Sequence, residues 1–379
     1  MSLDALADIS RFYGKNPDYV LAGGGNTSWK DGEILYVKGS GLALADVVPE
    51  SFVKIDRKTL AHIWKKEYPH SSAERESAVL ADLMAARKPG EENKRPSVET
   101  LLHDIIPFAY VVHLHPALVN GMCCSQLGEQ AMIELFGTAA IWIPSANPGY
   151  VLSCLVKEAM DAYHRQNGLP ASIIFLQNHG VFAGADDVQG IRDLYYMIMS
   201  KIKTKIQPAA LRSLRSLQSS HSLFCGEKEN ETMHILKALA GEAVFYCDTN
   251  IMALLENRST FAPVSGAFTP DHIVYSGSEP LFLESQNESD IKNGWAEYIN
   301  KNNRNPKIAA VQGLGIFGLG VSEKAAFQAV ELFKDAVTIA LYTASFGGPL
   351  CMSAEQVDFI NNWEAERFRT KVSFERIGT

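Results

Sequence analysis

The chain has 379 residues, 46 % hydrophobic and 21 % charged, and this balance predicts a globular protein with a large core rather than a disordered one. Its net charge of −8 and pI of about 5.7 argue against a nucleic-acid partner, since nucleic acids select basic surfaces. Six scattered cysteines without a CxxC pair indicate reduced thiols, and no apolar run reaches the roughly 18 residues of a membrane span. We therefore predict a cytoplasmic protein that has no membrane partner.

Two glycine-rich loops mark the first part of the chain. Residues 3–14 have helical periodicity, and a short predicted strand at 19–22 runs into Gly23-Gly-Gly-Asn-Thr-Ser28. Asp31-Gly32 predicts a hairpin, and the strand that follows it ends in Gly39-Ser40-Gly41. Two strands that end in donor-rich loops suggest a single anion pocket, although a plain hairpin turn explains the first loop equally well when it is taken alone.

A polar segment opens a predicted helix farther along, after a helical region over 57–88. It reads Pro96-Ser97-Val98-Glu99, and Ser97 can cap the helix that follows. A glutamate in a first helical turn is ordinarily a partner of the helix dipole. Because few residues separate this helix from the next strand, Glu99 could instead lie beside that strand.

The most informative segment is the apolar run from residue 108 to residue 116, which contains His113 and His115. Strand side chains alternate between faces, so both imidazoles point the same way, with Cα atoms roughly 6–7 Å apart. A second buried-looking strand, 173–178, leads to His179 and a glycine. Two satisfied strand histidines are the simpler explanation of the pair alone. A third imidazole would complete a three-histidine site with an open position, which is typical of catalytic zinc.

The later part of the chain contains a degenerate internal repeat. Residues 307–317 match 172–182 at an offset of 135 residues, and residues 273–277 resemble 35–40. Because His179 falls on Leu314, we expect no metal site in the copy. The serine-rich stretch at 213–222 marks the boundary. The predicted division is listed here: a metal-dependent domain at 1–212, a linker at 213–229 and a C-terminal domain at 230–379.

Together these residues resemble the class II aldolase/adducin family, and the match looks closest to the aldolase portion of bifunctional rhamnulose-1-phosphate aldolase/alcohol dehydrogenases. The order and separations fit over about residues 5–205. The motifs that carry the resemblance are Gly25-Asn26, Ser40-Gly41, Pro96-Ser97-Val98-Glu99, His113-Leu-His115 and Gln177-Asn-His-Gly180. The resemblance implies an α/β fold, a three-layer α/β/α sandwich whose central sheet is mainly antiparallel. A departure is Val98, where aldolases of the family often have a second serine.

The same resemblance implies the residues of the site. A divalent metal, usually Zn²⁺, would be bound by His113, His115 and His179, and Glu99 would be the catalytic acid/base. A raised pKa would let Glu99 return a proton to the enediolate carbon formed by retro-aldol cleavage of a ketose 1-phosphate, giving dihydroxyacetone phosphate. The implied phosphate-binding residues are Asn26, Thr27, Ser40, Gly41 and Ser97.

Other functions stay open at this stage. A pentulose-phosphate 4-epimerase uses the same retro-aldol step, and an adducin-like interaction module shares the fold but loses the metal histidines. The sequence contains no G-x-G-x-x-G motif opening a helix, so we expect no nicotinamide cofactor. The expected partner is a small sugar phosphate, and a homo-oligomer is compatible with the resemblance.

Overall fold

A computed structural model gives the fold for residues 2–210 and 226–364. These residues divide into two compact units. The first comprises 2–123, 128–204 and 362–364, and the second comprises 124–127, 205–210 and 226–361. Residues 213–225 of the predicted linker lie outside the described residues, and the predicted domain boundaries stay a prediction. Within the described ranges, every helix is too short or too polar to cross a bilayer.

A twisted sheet forms the centre of the first unit. In its described residues the sheet has seven strands in the order β3-β2-β1-β4-β7-β6-β5. Neighbouring strands pair antiparallel except β5 and β6, which are parallel. The strands are β1 (Asn26–Asp31), β2 (Ile34–Lys38), β3 (Phe52–Asp56), β4 (Tyr110–Leu114), β5 (Ile141–Ile143), β6 (Ile173–Leu176) and β7 (Gly180–Ala185).

Helices cover both faces of this sheet. Helices α1 and α8 pack on one face, while α4 and α7 pack together on the other around buried Leu102, Val156 and Phe182. The predicted three-layer α/β/α sandwich with a mainly antiparallel sheet is confirmed. The helices are α1 (Leu3–Gly14), α2 (Arg57–Leu60), α3 (Ser72–Ala85), α4 (Thr100–Ile105), α5 (Ala117–Cys123), α6 (Gly128–Phe136), α7 (Tyr150–Asn167) and α8 (Val188–Lys203).

Two local predictions in the first unit are wrong. Residues 19–22 form a turn instead of a strand, with Ala22 at a φ of +49°, and the sheet begins at Asn26. The helical region predicted over 57–88 is interrupted between α2 and α3, where residue Pro69 lies. Proline lacks the N–H that a continuing helix needs, which explains the break.

The second unit contains a smaller sheet. Its described strands follow the order β8-β11-β10-β9, where β9 and β10 are parallel and the other pairs are antiparallel. The strands are β8 (Glu242–Tyr246), β9 (Leu281–Leu283), β10 (Ile308–Val311) and β11 (Gly315–Gly320). The helices are α9 (Glu227–Ala240), α10 (Thr249–Leu254), α11 (Arg258–Phe261), α12 (Pro270–Tyr275), α13 (Glu288–Asn302), α14 (Glu323–Thr343) and α15 (Ala354–Asn362).

This smaller sheet repeats half of the larger one. The order β8-β11-β10-β9 reproduces β4-β7-β6-β5, and the parallel pair lies at the same edge in both. In the first sheet Phe182 pairs with His113, and in the second Phe317 pairs with Phe245. The degenerate repeat is therefore present in the fold. Its second predicted match is wrong, because residues 273–275 belong to α12, which Thr269 caps and Pro270 opens.

The close packing of β11 against α14 makes a testable prediction. A Cβ atom on Gly318 would lie 2.1 Å from the Ala326 carbonyl oxygen and 2.6 Å from Val330 Cγ2. Gly318→Ala should therefore destabilise the protein by about 1–3 kcal/mol, as overpacking typically does. Thermal unfolding measures the effect. Gly226→Ala is the matched control, since that site has open space, and equal midpoints for both variants would contradict the packing argument.

Candidate active site

Three imidazoles meet at one end of the larger sheet. His113 lies on β4, His115 follows that strand, and His179 lies in the turn between β6 and β7. Nε2 of His113 is 2.9 Å from Nε2 of His115 and 3.3 Å from Nε2 of His179, and the candidate ligand atoms all lie within 4.8 Å of one another. Tetrahedral Zn²⁺ with bonds of about 2.0–2.1 Å needs nitrogens a little over about 3 Å apart. The spacing therefore suits a divalent metal.

The surroundings of His113 favour its metal-binding form. Its Nδ1–H donates to the Val181 carbonyl at 3.1 Å, and the Tyr195 hydroxyl donates to the same oxygen at 3.2 Å. Nε2 is thereby left with its lone pair. Complete burial lowers the pKa of His113 well below its usual value, although Glu99 opposes the shift. Phe182 stacks on the ring at 4.0 Å, so its orientation is also held by packing.

A tight turn places His179 against the other two rings. Asn178 adopts a left-handed conformation with φ of +56°, and its N–H donates to the Cys123 carbonyl at 3.1 Å. The next residue, Gly180, passes so close to β4 that an added Cβ would lie 2.7 Å from His115 Cδ2 and 2.5 Å from the Leu114 carbonyl oxygen. Glycine is required here because the imidazoles occupy the space of a side chain.

Glu99 faces the three imidazoles from the start of α4. Its Oε1 lies 3.4 Å from Nε2 of His113 and 3.3 Å from Nε2 of His179, and this buried oxygen has no hydrogen-bond partner. The Asn26 side-chain amide donates to the other oxygen, Oε2. A carboxylate so placed can exchange a proton with a molecule bound at the imidazoles.

The charge state of Glu99 differs from the sequence-based expectation. Burial does raise its pKa, but electrostatic interaction with His113 and His179 and the hydrogen bond from Asn26 outweigh burial and lower the pKa to about 2. A divalent cation at the imidazoles would act in the same direction. The ionised carboxylate is therefore the favoured form, and the expected raised pKa is wrong.

The predicted phosphate-binding residues are only partly brought together. The Asn26 amide donates to Ser97 Oγ at 3.2 Å, so these two lie at Glu99. The loop of Ser40 and Gly41 lies beside the segment that contains Ser97. The Ser40 N–H donates to the Arg95 carbonyl at 2.8 Å, and Gly39 forms an isolated β-bridge with Pro96. Thr27 points away.

Thr27 is separated from the others by strand geometry. Asn26, Thr27 and Ser28 lie on β1 rather than in the predicted loop, so their side chains alternate between faces. The Thr27 hydroxyl is fully buried and lies 2.7 Å from the Ser10 hydroxyl of α1, on the opposite face from Glu99. The part of Thr27 in binding, like the roles of the other residues, stays a prediction.

One residue of this cluster was missed in the sequence. His103 of α4 is fully buried, with Nδ1 2.7 Å from Ser28 Oγ and Nε2 in contact with Asn26 Oδ1. Burial lowers its pKa to about 3, so the ring is neutral. The available signal was its spacing four residues after Glu99, which puts both side chains on one helix face.

A cleft in the second unit is unrelated to these residues. Its volume is about 730 Å³, and it runs along β9 beside Phe261, Tyr298 and the ion pairs Arg258–Glu284 and Lys301–Glu279. None of the predicted site residues lines it.

An α/β/α sandwich with three imidazoles and a carboxylate at one sheet end defines a candidate site of the kind that metal-dependent enzymes use. The chain belongs to the class II aldolase and adducin family, because the profile described as Class II Aldolase and Adducin N-terminal domain matches residues 4–204. The resemblance seen in the sequence is thus confirmed at the level of the family.

Similar proteins were found in sequence and structure comparisons. The Bacillus subtilis (strain 168) protein named "Uncharacterized oxidoreductase YuxG" is 22 % identical over 417 residues, covering 97 % of this chain and 58 % of that protein. The chain thus spans little more than half of that relative. The N-terminal class II aldolase domain of a conserved Thermoplasma acidophilum protein is 27 % identical, with a TM-score of 0.46, covering 54 % of this chain and 93 % of the other. L-fuculose-1-phosphate aldolase from Thermus thermophilus is 14 % identical, with a TM-score of 0.33, covering 57 % and 98 %.

The approach of Gly180 to the imidazoles gives a prediction for the site. Gly180→Ala should weaken Zn²⁺ binding by about 10–100-fold, because the new methyl group must displace the His115 ring or the β4 backbone. Competition with a chromogenic chelator measures the affinity. Gly226→Ala is the control, since an added Cβ there meets open space, and equal affinities for both variants would show that the close approach does not orient the rings.

Proposed function

We propose that this chain is a divalent-metal-dependent aldolase, with Zn²⁺ as the metal, that cleaves a ketose 1-phosphate such as rhamnulose 1-phosphate to dihydroxyacetone phosphate and an aldehyde. The observation that carries the proposal is the unpartnered Oε1 of Glu99, which faces Nε2 of His113 and His179 at 3.3–3.4 Å. A proton-transfer group and a metal-ligand set then share one buried site.

The three imidazoles fit a metal by their chemistry as well as their spacing. Complete burial disfavours a charged His113, and its Nδ1–H is used by a backbone carbonyl, so Nε2 is available as a ligand. A metal bound there supplies Lewis acidity, which stabilises negative charge that develops on substrate oxygens during carbon–carbon cleavage.

Glu99 has the second role in this proposal. Because its ionised form is favoured, Glu99 begins as a base: Oε1 takes the proton of the substrate hydroxyl whose oxygen becomes the aldehyde oxygen as the carbon–carbon bond breaks. After the carbon–carbon bond breaks, the protonated carboxyl returns its proton to the substrate carbon that carries the negative charge, which yields dihydroxyacetone phosphate.

The phosphate is assigned to the polar groups next to Glu99. Asn26, Ser97 and the Ser40–Gly41 loop lie side by side, and Ser97 Oγ receives the Asn26 amide hydrogen bond. Amide and hydroxyl donors of this kind bind phosphate oxygens. Thr27 can take part in phosphate binding only if its contact with Ser10 is broken.

The substrate can be tested directly. Purified, zinc-loaded protein is incubated with a panel of ketose 1-phosphates, their unphosphorylated ketoses and a pentulose 5-phosphate, and release of dihydroxyacetone phosphate is measured with a coupled enzyme. Cleavage of one or more ketose 1-phosphates is the expected result. Interconversion of pentulose phosphates without cleavage would favour the epimerase, and no turnover of any substrate would overturn the proposed function.

Metal binding gives a separate prediction. The wild-type protein should bind about one Zn²⁺ per chain, and His179→Ala should lose it because two imidazoles rarely hold zinc alone. Elemental analysis after dialysis against zinc is the measurement. His70→Ala, at an exposed position, is the matched control. Zinc retained equally by both variants would exclude His179 as a ligand.

Glu99 should matter for turnover but not for metal binding. In Glu99→Gln the amide oxygen can still accept from Asn26, but the side chain no longer transfers protons at neutral pH. We expect kcat to fall at least about 10²-fold with the zinc content unchanged. Glu129→Gln, on the exposed side of α6, is the control. Loss of zinc would instead identify Glu99 as a ligand, and full activity would remove it from the mechanism.

A further inference from the structure

We infer that His103 is a positioning residue: through Asn26, it holds Glu99 so that Oε1 is left for proton transfer. This inference deepens the proposed function and rests on it. Its basis is a chain of hydrogen bonds from Ser28 through His103 and Asn26 to Glu99.

Two residues of this hydrogen-bond chain lie on one turn of α4. The backbone N–H of His103 donates to the backbone carbonyl of Glu99 at 3.1 Å. The two side chains therefore lie one helical turn apart on the same face. Across from them on β1, Asn26 and Ser28 point to this face because they are two residues apart in a strand. Both strand residues are buried, as are His103 and Glu99.

The donors and acceptors along the chain can have only one direction. The Asn26 NH₂ group donates to Oε2 of Glu99, so the donor end of this amide faces the carboxylate. The carbonyl oxygen of Asn26 then faces His103, and an acceptor there requires a hydrogen on His103 Nε2. Because the buried ring is neutral, Nδ1 is bare and accepts from the Ser28 hydroxyl at 2.7 Å.

This direction prevents the Asn26 amide from turning over. A flipped amide would place its oxygen against the carboxylate of Glu99 and its NH₂ against the N–H of His103, which are two repulsive contacts. Without His103, only the contacts with the Ser97 hydroxyl and with the carboxylate would favour one orientation of the Asn26 amide over the other. With its hydrogen on Nε2, the imidazole favours the same orientation of Asn26 as the carboxylate does.

The consequence falls on the two oxygens of Glu99. Oε2 is held by Asn26, whereas Oε1 has no hydrogen-bond partner and lies 3.3–3.4 Å from two imidazole nitrogens. If Asn26 released Oε2, the carboxylate could rotate and present either oxygen. Proton transfer depends on such alignment, so the loss should appear in kcat rather than in KM.

Packing against Phe182 connects the His103 ring to a candidate metal ligand. Its edge contacts Phe182 at a centroid distance of 5.4 Å, and the same phenyl ring stacks on His113 at 4.0 Å. A single aromatic side chain thus touches both the positioning imidazole and a candidate ligand.

Two variants at residue 103 separate positioning from simple packing. In His103→Gln the side-chain amide nitrogen can reach the place of Nε2 and still donate to Asn26. In His103→Asn the shorter amide matches Nδ1 instead and cannot. We expect His103→Asn to lower kcat at least about tenfold, with KM changed less than about threefold, and His103→Gln to stay within about threefold of wild type. Zinc content should be unchanged in both.

A double-mutant cycle then tests whether His103 acts through Asn26. In an Asn26→Ala background the difference between His103→Asn and His103→Gln should shrink to less than about twofold. Equal kcat values for the two variants in the wild-type background would overturn the inference. An undiminished difference in the Asn26→Ala background would also overturn it.

A second measurement does not depend on activity or on recovery of the variants. In ¹⁵N-histidine-labelled wild-type protein, the His103 resonances should show a neutral ring with hydrogen on Nε2 at pH 7. A hydrogen on Nδ1 or a charged ring would overturn the positioning role. If the wild type turns over no substrate but His103 shows the expected tautomer, the proposed function fails while the hydrogen-bond chain stands.

Discussion

The close approach of one buried carboxylate to two of the three imidazoles is the interaction that most constrains the candidate site. Groups of this kind are costly to bury unless each is hydrogen-bonded or binds a cation. The structure meets that requirement with a backbone carbonyl for His113, an amide for Glu99 and a second imidazole for that amide. The pairing of Asn26 with His113 across β1 and β4 brings these groups to one place.

The main features of the site could be predicted because they follow from strand periodicity. His113 and His115 share a face since they are two residues apart, and the glycine after His179 indicates the close turn. The layered α/β fold was predictable from the family resemblance, and its repeat from the match of residues 307–317 to 172–182. Glu99 could be proposed because the sequence distance between its helix and β4 is short.

The predictions that were wrong or incomplete concern tertiary contacts, which a local sequence pattern does not indicate. The three glycines before Asn26 made the loop look longer than it is, so Thr27 was grouped with neighbours that β1 places on the opposite face. The spacing of His103 from Glu99 puts both side chains on one helix face, but its partner Asn26 lies on another element, which the spacing alone does not indicate. The pKa of Glu99 was misjudged because burial is only one of several effects, and the interactions with the imidazoles and with Asn26 outweigh it.

The second sheet has other residues at the positions that correspond to the three imidazoles. By register, Phe245 occupies the place of His113, Cys247 that of His115, and Leu314 that of His179. Phe245 and Leu314 pack against the apolar cluster that contains Phe317, so positions that hold candidate ligands in one half contribute to the core of the other. Buried polar groups in a functional site cost folding stability, and apolar residues at the equivalent positions of a copy avoid that cost. The repeat thereby contains both arrangements in a single chain, with buried polar groups gathered at one sheet end and apolar packing at the equivalent place in the other.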